Sequence, residues 1–343
     1  MQDFNKIAYK KPLFPVENHL KEHLSRYSRK IDLPFSYDDL TRFSEAVPIY
    51  DDHGKETLWY SVLYYQSEMD SIKEDLIRGY QLLVGSGKRT AHLGIADIQY
   101  CSFGNTKPFR IKVVNQINEN HDYYYVKRAD ASRIYGLELE ELFSPDKVSF
   151  LVDKKTLVEE HVVGIPCDDF IAKYEDVQIE NRLRFAKEFV KFNERCFARL
   201  LGDMRAYNFV VEITQDFDNI QYRLRPIDFD QQCYEGRKTI YMPQYYKENI
   251  KLVELAQELL SAEVAAQYQR EERVAISKRF ASNKRRAISL LDTMRKDRIS
   301  TPENVQILGR DLARHHQDES FASLTNMADI LRRHLQLQLQ RKN

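Results

Sequence analysis

The chain has 343 residues, 43% of them apolar, which is enough for a sizeable core in two or three domains. Its 52 Lys+Arg are balanced by 52 Asp+Glu, so the surface as a whole is no magnet for nucleic acid or anionic membrane. With only 11 Gly, 10 Pro and 12% aromatics, collagen-like, linker-dominated and disordered readings fail, and no apolar run approaches the roughly 18 residues of a membrane span.

Residues 1–14 contain no apolar stretch of a signal peptide's length. Cys101, Cys167, Cys196 and Cys233 lie far apart and form no C-x-x-C pair. They read as reduced thiols, mostly in the core of a cytoplasmic protein. His19 and His23 share a helical spacing, but no Glu beside His19 makes H-E-x-x-H, so they read as a solvated pair.

Residues 1–50 are mixed polar and aromatic and are broken by Pro12, Pro15, Pro34 and Pro48. Residues 57–66 are β-branched and aromatic and predict a strand. From Ser67 to Leu83 the apolar residues Met69, Ile72, Leu76, Ile77, Tyr80 and Leu83 recur at helical spacing, and Gly85, Ser86 and Gly87 end that helix. Residues 1–90 thus read as an extension without an assigned role. Residues 94–164 predict strands over GIADIQYCSF, PFRIKVVNQI, DYYYVKRAD, KVSFLVD and TLVEEHVVG, with a short helix around Ile134–Phe143. A small antiparallel sheet lobe over 91–165 follows. After Pro166 the texture is helical to the end, over 166–343. Residues 180–201 carry a broad apolar stripe, including Leu183, Phe185, Phe189, Phe192, Cys196 and Phe197. A polar hairpin then joins NFVVEI to YRLRPIDF, and further helices follow from about residue 246.

Three segments carry chemistry together. Asp203 and Asn208 are five apart in LGDMRAYN, between the long helix and a strand. A phosphotransferase needs a carboxylate to orient and deprotonate the attacking hydroxyl, and an amide oxygen on a metal ion. Asp228, in IDFD at the end of the next strand, can hold Mg²⁺ against nucleotide phosphates. Lys127 lies on an upstream strand, followed by Glu138, Glu140 and Glu141 on the short helix. A lysine that reaches the α/β-phosphates needs an acidic partner from such a helix.

In this order the segments resemble the protein-kinase-like superfamily over roughly residues 94–260. The resemblance implies a two-lobed α+β fold, with a small antiparallel sheet lobe and a larger helical lobe. It implies ATP and Mg²⁺ as cofactors, and a γ-phosphoryl transfer to an unidentified hydroxyl acceptor, small molecule or protein. Carried over to this chain, Asp203 is the catalytic base, and Arg205 either neutralises phosphate charge or pairs with Asp203. Asn208 and Asp228 hold the metal. Lys127 binds the phosphates, with Glu141, Glu140 or Glu138 as its partner. Gly104, in the turn Ser102–Lys107, covers the phosphates. Glu159–Val163, with Glu160 and His161 at its centre, forms the hinge whose backbone meets the adenine. The departures are Leu201 where the family has histidine, Asp230 where it has glycine after Asp-Phe, a single loop glycine, and no A-P-E. The pattern is therefore closer to the atypical branches: aminoglycoside and choline phosphotransferases, and phosphoinositide-kinase-like and HipA-like enzymes.

Two other functions fit the same fold. One is a non-catalytic kinase-like scaffold. The other is nucleotidyl transfer to protein. Several further signals read as structure. Val84–Thr90 looks like a P-loop, but Leu82 stands where Walker A needs glycine. The basic run 278–286 reads as a solvated helix face, and His315–His316 as an exposed pair with no metal-ligand partner nearby.

Overall fold

The computed structural model describes residues 11–85, 92–173, 179–216 and 219–339. Ser86 and Gly87, and most of the P-loop-like segment, lie outside the described residues. In chain order the elements are α1 (Asn18–Arg26), α2 (Tyr37–Leu40), β1 (Glu45–Tyr50), β2 (Glu56–Leu63), α3 (Gln66–Leu83), β3 (Leu93–Cys101), β4 (Phe109–Asn115) and β5 (His121–Arg128). Then come α4 (Ala131–Phe143), β6 (Phe150–Asp153), β7 (Thr156–Glu160), β8 (Ile165–Pro166), α5 (Cys167–Lys173), α6 (Ile179–Arg199), β9 (Phe209–Asp216) and β10 (Asn219–Pro226). The chain continues with α7 (Ile250–Leu259), α8 (Ala262–Ser282), α9 (Lys284–Met294), α10 (Pro302–His316) and α11 (Met327–Gln338). The architecture is α+β. Two compact units form: one takes the residues up to Ala131 with Val148–His161, the other takes Ser132–Lys147 and everything from Val162 on.

The first unit is built on a seven-stranded sheet in the order β1-β2-β3-β4-β5-β7-β6, antiparallel throughout. Side chains alternate between its faces. Phe109, Ile111 and Val113 of β4, with Tyr124, Val126 and Val158, turn to a core that α3 completes through Leu76 and Leu83. The Tyr124 hydroxyl, wholly buried there, donates to the Leu76 carbonyl at 2.8 Å. The alternate positions Arg110, Tyr125 and Lys127 take the other face, where the Arg110 guanidinium lies 4.5 Å over the Trp59 ring.

The described part of residues 1–90, read from the sequence as an extension without an assigned role, joins the first unit. β2 pairs with β3 through Trp59 opposite Cys101, so β1 and β2 widen the sheet, and α3 covers it. Sequence reasoning missed β1 because Pro48 sits within it. Proline is tolerated there because β1 is the sheet edge, and the register shifts between Pro48 and Tyr50.

The second unit is mainly helical, with a three-stranded sheet in the order β10-β9-β8. Helix α6 buries Phe185, Phe189, Phe192, Cys196 and Phe197, whereas Leu183 of the expected stripe is exposed. Helix α4 falls, from Ser132 on, in this unit and not with the sheet that flanks it in sequence. It is buried over Ala131–Glu140, and its charges are paired: Glu140 with Arg199, and Glu138 with Arg286 at 2.8 Å. Gly136 lets it approach the strand end, since a Cβ there would lie 2.9 Å from the Phe229 Cβ.

All four cysteines are free and buried, and burial raises their thiols, Cys233 to about 12. They are core residues, not thiolate nucleophiles.

His316 is half-buried and forms a relay with buried His334. The Nε2 of His334 lies 3.0 Å from the Phe197 carbonyl, and its Nδ1 lies 2.8 Å from His316 Nε2. A carbonyl only accepts, so His334 carries its proton on Nε2 and accepts from His316 through Nδ1. Burial and the neighbouring histidine lower His334 to about 3 and His316 to about 4. In the unfolded chain both take a proton near pH 6.5. The folded pKa is the lower, so this stability is present above about pH 6.5 and is lost as pH falls towards 4 and 3. The loss from His334 is expected to be about 1.4 kcal/mol per pH unit below 6.5. Thermal melts at pH 7.5 and 5.5 check this: His334→Gln should flatten the pH slope, and an unchanged slope would refute it.

Candidate functional site

The expected site residues fall in both units. In the first unit, Lys127 is 7% exposed and donates from Nζ to Glu159 Oε2 at 2.6 Å. The register explains this. Tyr125 pairs with Glu159 and Lys127 with Leu157, so Glu159 is the diagonal neighbour of Lys127 on one sheet face. The sequence had offered partners for Lys127 only on the short helix. Glu138 and Glu141 hold Arg286 at 2.8 and 2.9 Å, and Glu140 holds Arg199. The structure pairs Lys127 with a residue that the sequence had placed only at the start of the hinge.

The turn between β3 and β4 contains Gly104 at φ +92°, a conformation that suits glycine. A Cβ there would meet nothing within 4 Å, so backbone freedom and not space calls for glycine. The turn is braced: Tyr37 Oη donates to the Lys107 carbonyl at 2.8 Å, and Asn105 and Thr106 are buried. Glu160 ends β7, and His161 is the last residue of the first unit. His161 Nδ1 lies 3.3 Å from the Tyr125 hydroxyl, and burial lowers its pKa against a partial opposing pull from Asp122.

In the second unit, the loop after α6 is fixed by the segment after β10. Leu201 bridges Gln232, the Gly202 amide donates to the Gln231 carbonyl at 3.3 Å, and the Ile227 amide donates to the Asn208 carbonyl at 3.0 Å. The hairpin register, Phe209 opposite Pro226, thus brings Asn208 alongside Ile227, one residue from Asp228. Asp203 has a left-handed backbone, φ +58°, which non-glycine residues rarely adopt. Its amide donates to the Tyr246 hydroxyl at 3.0 Å, and its carbonyl accepts from Asn208 Nδ2 at 2.7 Å. Such a conformation persists where surrounding contacts over-determine it.

Arg205 pairs with Asp203, one of the two roles that the sequence offered for it. Its Nε donates to Asp203 Oδ1 and its Nη1 to Glu248 Oε1, each at 2.8 Å, and its guanidinium lies 4.9 Å over the Tyr246 ring. Burial pulls the Arg205 pKa down, but hydrogen bonds and charge from Asp203, with Glu248, outweigh it and hold the pKa above the ordinary value. Asp203 is 8% exposed.

Asp228 is also held by an arginine that the sequence did not single out. Buried Arg133 of α4 donates from Nη1 to Asp228 Oδ1 at 3.1 Å and to Asp230 Oδ1 at 2.9 Å. Nothing local in ASRIYGLELEELF marks Arg133 for this role, because its partners lie about a hundred residues on.

The donor chemistry fits Mg²⁺. Asn208 spends its amide nitrogen on the Asp203 carbonyl, so its oxygen is the atom that would serve as a ligand, and Asp228 would add a carboxylate from the adjoining hairpin end. Mg²⁺ takes one or two such oxygens and completes its shell with water and phosphate. Among the described residues no group of three His, Cys, Asp or Glu could hold a metal, so a closed all-protein cage is not on offer.

No family model matches the chain. No curated protein matches it either. Among solved structures it is similar to the Rad53 kinase domain, crystallised with SCD2 in complex with AMPPNP, at 14% identity and a TM-score of 0.27, over 66% of this chain and 94% of that one. No helix among the described residues is long and apolar enough to cross a membrane.

Proposed function

We propose that this chain is an ATP- and Mg²⁺-dependent phosphotransferase that moves the γ-phosphoryl group to a hydroxyl acceptor. The observation that carries the reading is the hairpin register that gathers Asp203, Asn208 and Asp228 at one end of β9 and β10. Asp203 would orient the acceptor hydroxyl and take its proton, held in place by Arg205. Lys127, fixed by Glu159, would bind the α/β-phosphates, and the backbone at Glu160 and His161 would meet the adenine. Asn208 and Asp228 would hold Mg²⁺, which when bound neutralises phosphate charge. Such catalysis is positioning and electrostatics more than covalent chemistry.

One observation favours a second reading, a kinase-like scaffold without turnover: Arg133 already engages the metal carboxylate. Calorimetric titration of ATP with and without Mg²⁺ separates the two. The phosphotransferase reading expects metal-dependent binding that Asp228→Asn weakens at least tenfold. Absence of binding to the wild type would leave the scaffold. Product mass then separates phosphoryl transfer, about 80 Da, from adenylyl transfer, about 329 Da.

A further inference from the structure

Four consecutive residues converge on one buried side chain. Arg133, 3% exposed, donates from Nη1 to Asp228 Oδ1 at 3.1 Å and to Asp230 Oδ1 at 2.9 Å. Its Nη2 donates to the Ile227 carbonyl at 3.2 Å, and its guanidinium lies 5.8 Å from the Phe229 ring centre. The Asp230 amide donates to Asp228 Oδ1 at 2.9 Å, which draws the two carboxylates into one cluster. They are 29% and 13% exposed, so solvent screens them only in part. Two like charges this close oppose each other, and a buried guanidinium between them relieves the opposition. The cluster therefore carries a formal charge of −1.

We infer that Arg133 is a positioning residue that sets the divalent-cation affinity of the Asp228–Asp230 pair, by supplying the positive charge with which a bound Mg²⁺ must share both carboxylates. The inference rests on the reading of Asp228 as a metal ligand. It also gives Asp230 a role. Where the resemblance leads one to expect glycine, this chain has a second carboxylate, and Arg133 balances it. A cation at Asp228 meets a site of charge −1 with Arg133 present and −2 without it. At a few ångströms that difference amounts to at least about tenfold in affinity, even in a well-screened site.

The charge arithmetic orders a set of variants. Arg133→Met leaves −2, the wild type −1 and Asp230→Asn leaves 0, while the double variant Arg133→Met/Asp230→Asn returns to −1. Mn²⁺ alone, titrated into the full chain and followed by electron paramagnetic resonance, should bind at least tenfold tighter to Arg133→Met and at least tenfold weaker to Asp230→Asn. The double variant should fall near the wild type. Arg133→Lys, which keeps the charge, should do the same. A merely structural tie would lower stability in Arg133→Met without tightening metal binding. If Arg133→Met fails to fold, Asp230→Asn and the double variant still decide the order. Affinities that do not follow the charge series, with Mn²⁺ still bound, overturn this inference and leave the metal role of Asp228 standing. No Mn²⁺ binding to any of the proteins overturns both, and ATP titration then judges the nucleotide reading separately.

Discussion

Asp203→Ala is expected to lower turnover by about 10²–10⁴-fold, the range that a positioned general base contributes. Nucleotide affinity should stay within a few-fold, because on the proposed reading nucleotide binding belongs to Lys127, Asn208 and Asp228. Phosphate release from ATP, with water as the acceptor, gives the rate without knowledge of the natural acceptor. Asp203→Asn is the sharper variant. Its amide oxygen can still accept from Arg205 Nε, which lies 2.8 Å from Asp203 Oδ1, so the loop keeps its brace while the base is lost. Equal losses in the two variants assign the effect to proton transfer. A rate retained in either variant removes Asp203 from the chemistry.

Arg205 bears on how that carboxylate works. It is shared between Asp203 and Glu248, and Tyr246 both stacks on it and meets the Asp203 amide through its hydroxyl. The carboxylate is thereby aimed. Catalysis at such a site depends on orientation.

How much of this was legible in the sequence depended on how local each cause was. The α+β class and the order of strands and helices followed from apolar period, which neighbouring residues determine. Asp203, Asn208 and Asp228 were readable together because a single hairpin joins them. The contact of Lys127 with Glu159 was not readable, since the register of β5 on β7 sets it. Edge strand β1 was hidden by Pro48, whose cost vanishes only at an edge. The ion pairs of the α4 acids were not readable because their counter-charges lie far along the chain, Arg286 being 148 residues from Glu138. The basic run misled for the same reason. Lys284 and Arg285 are exposed as expected, but Arg279 and Arg286 turn inward, to Glu272 and to Glu138 with Glu141.

That inward turn carries the largest expected effect on stability. Arg286 grips Glu138 with Nε at 3.2 Å and Nη2 at 2.8 Å, and meets Glu141 with Nη1 at 2.9 Å. Glu138 is fully buried, and Arg286 is 17% exposed. Burial lowers the Arg286 pKa, but the two carboxylates outweigh it and hold the guanidinium above its ordinary value. Arg286→Ala withdraws the counter-charge from a buried carboxylate and is expected to cost about 3–5 kcal/mol. Arg286→Lys should recover only part of this, because a point charge cannot reproduce the planar fork. Adding Glu138→Gln to Arg286→Ala should cost far less than the sum of the single changes, since the second change removes the charge that the first left behind. Urea unfolding of the wild type and the four variants measures each term. A cost near zero for Arg286→Ala would show that the clasp is solvated in solution and adds nothing to the hold on α4.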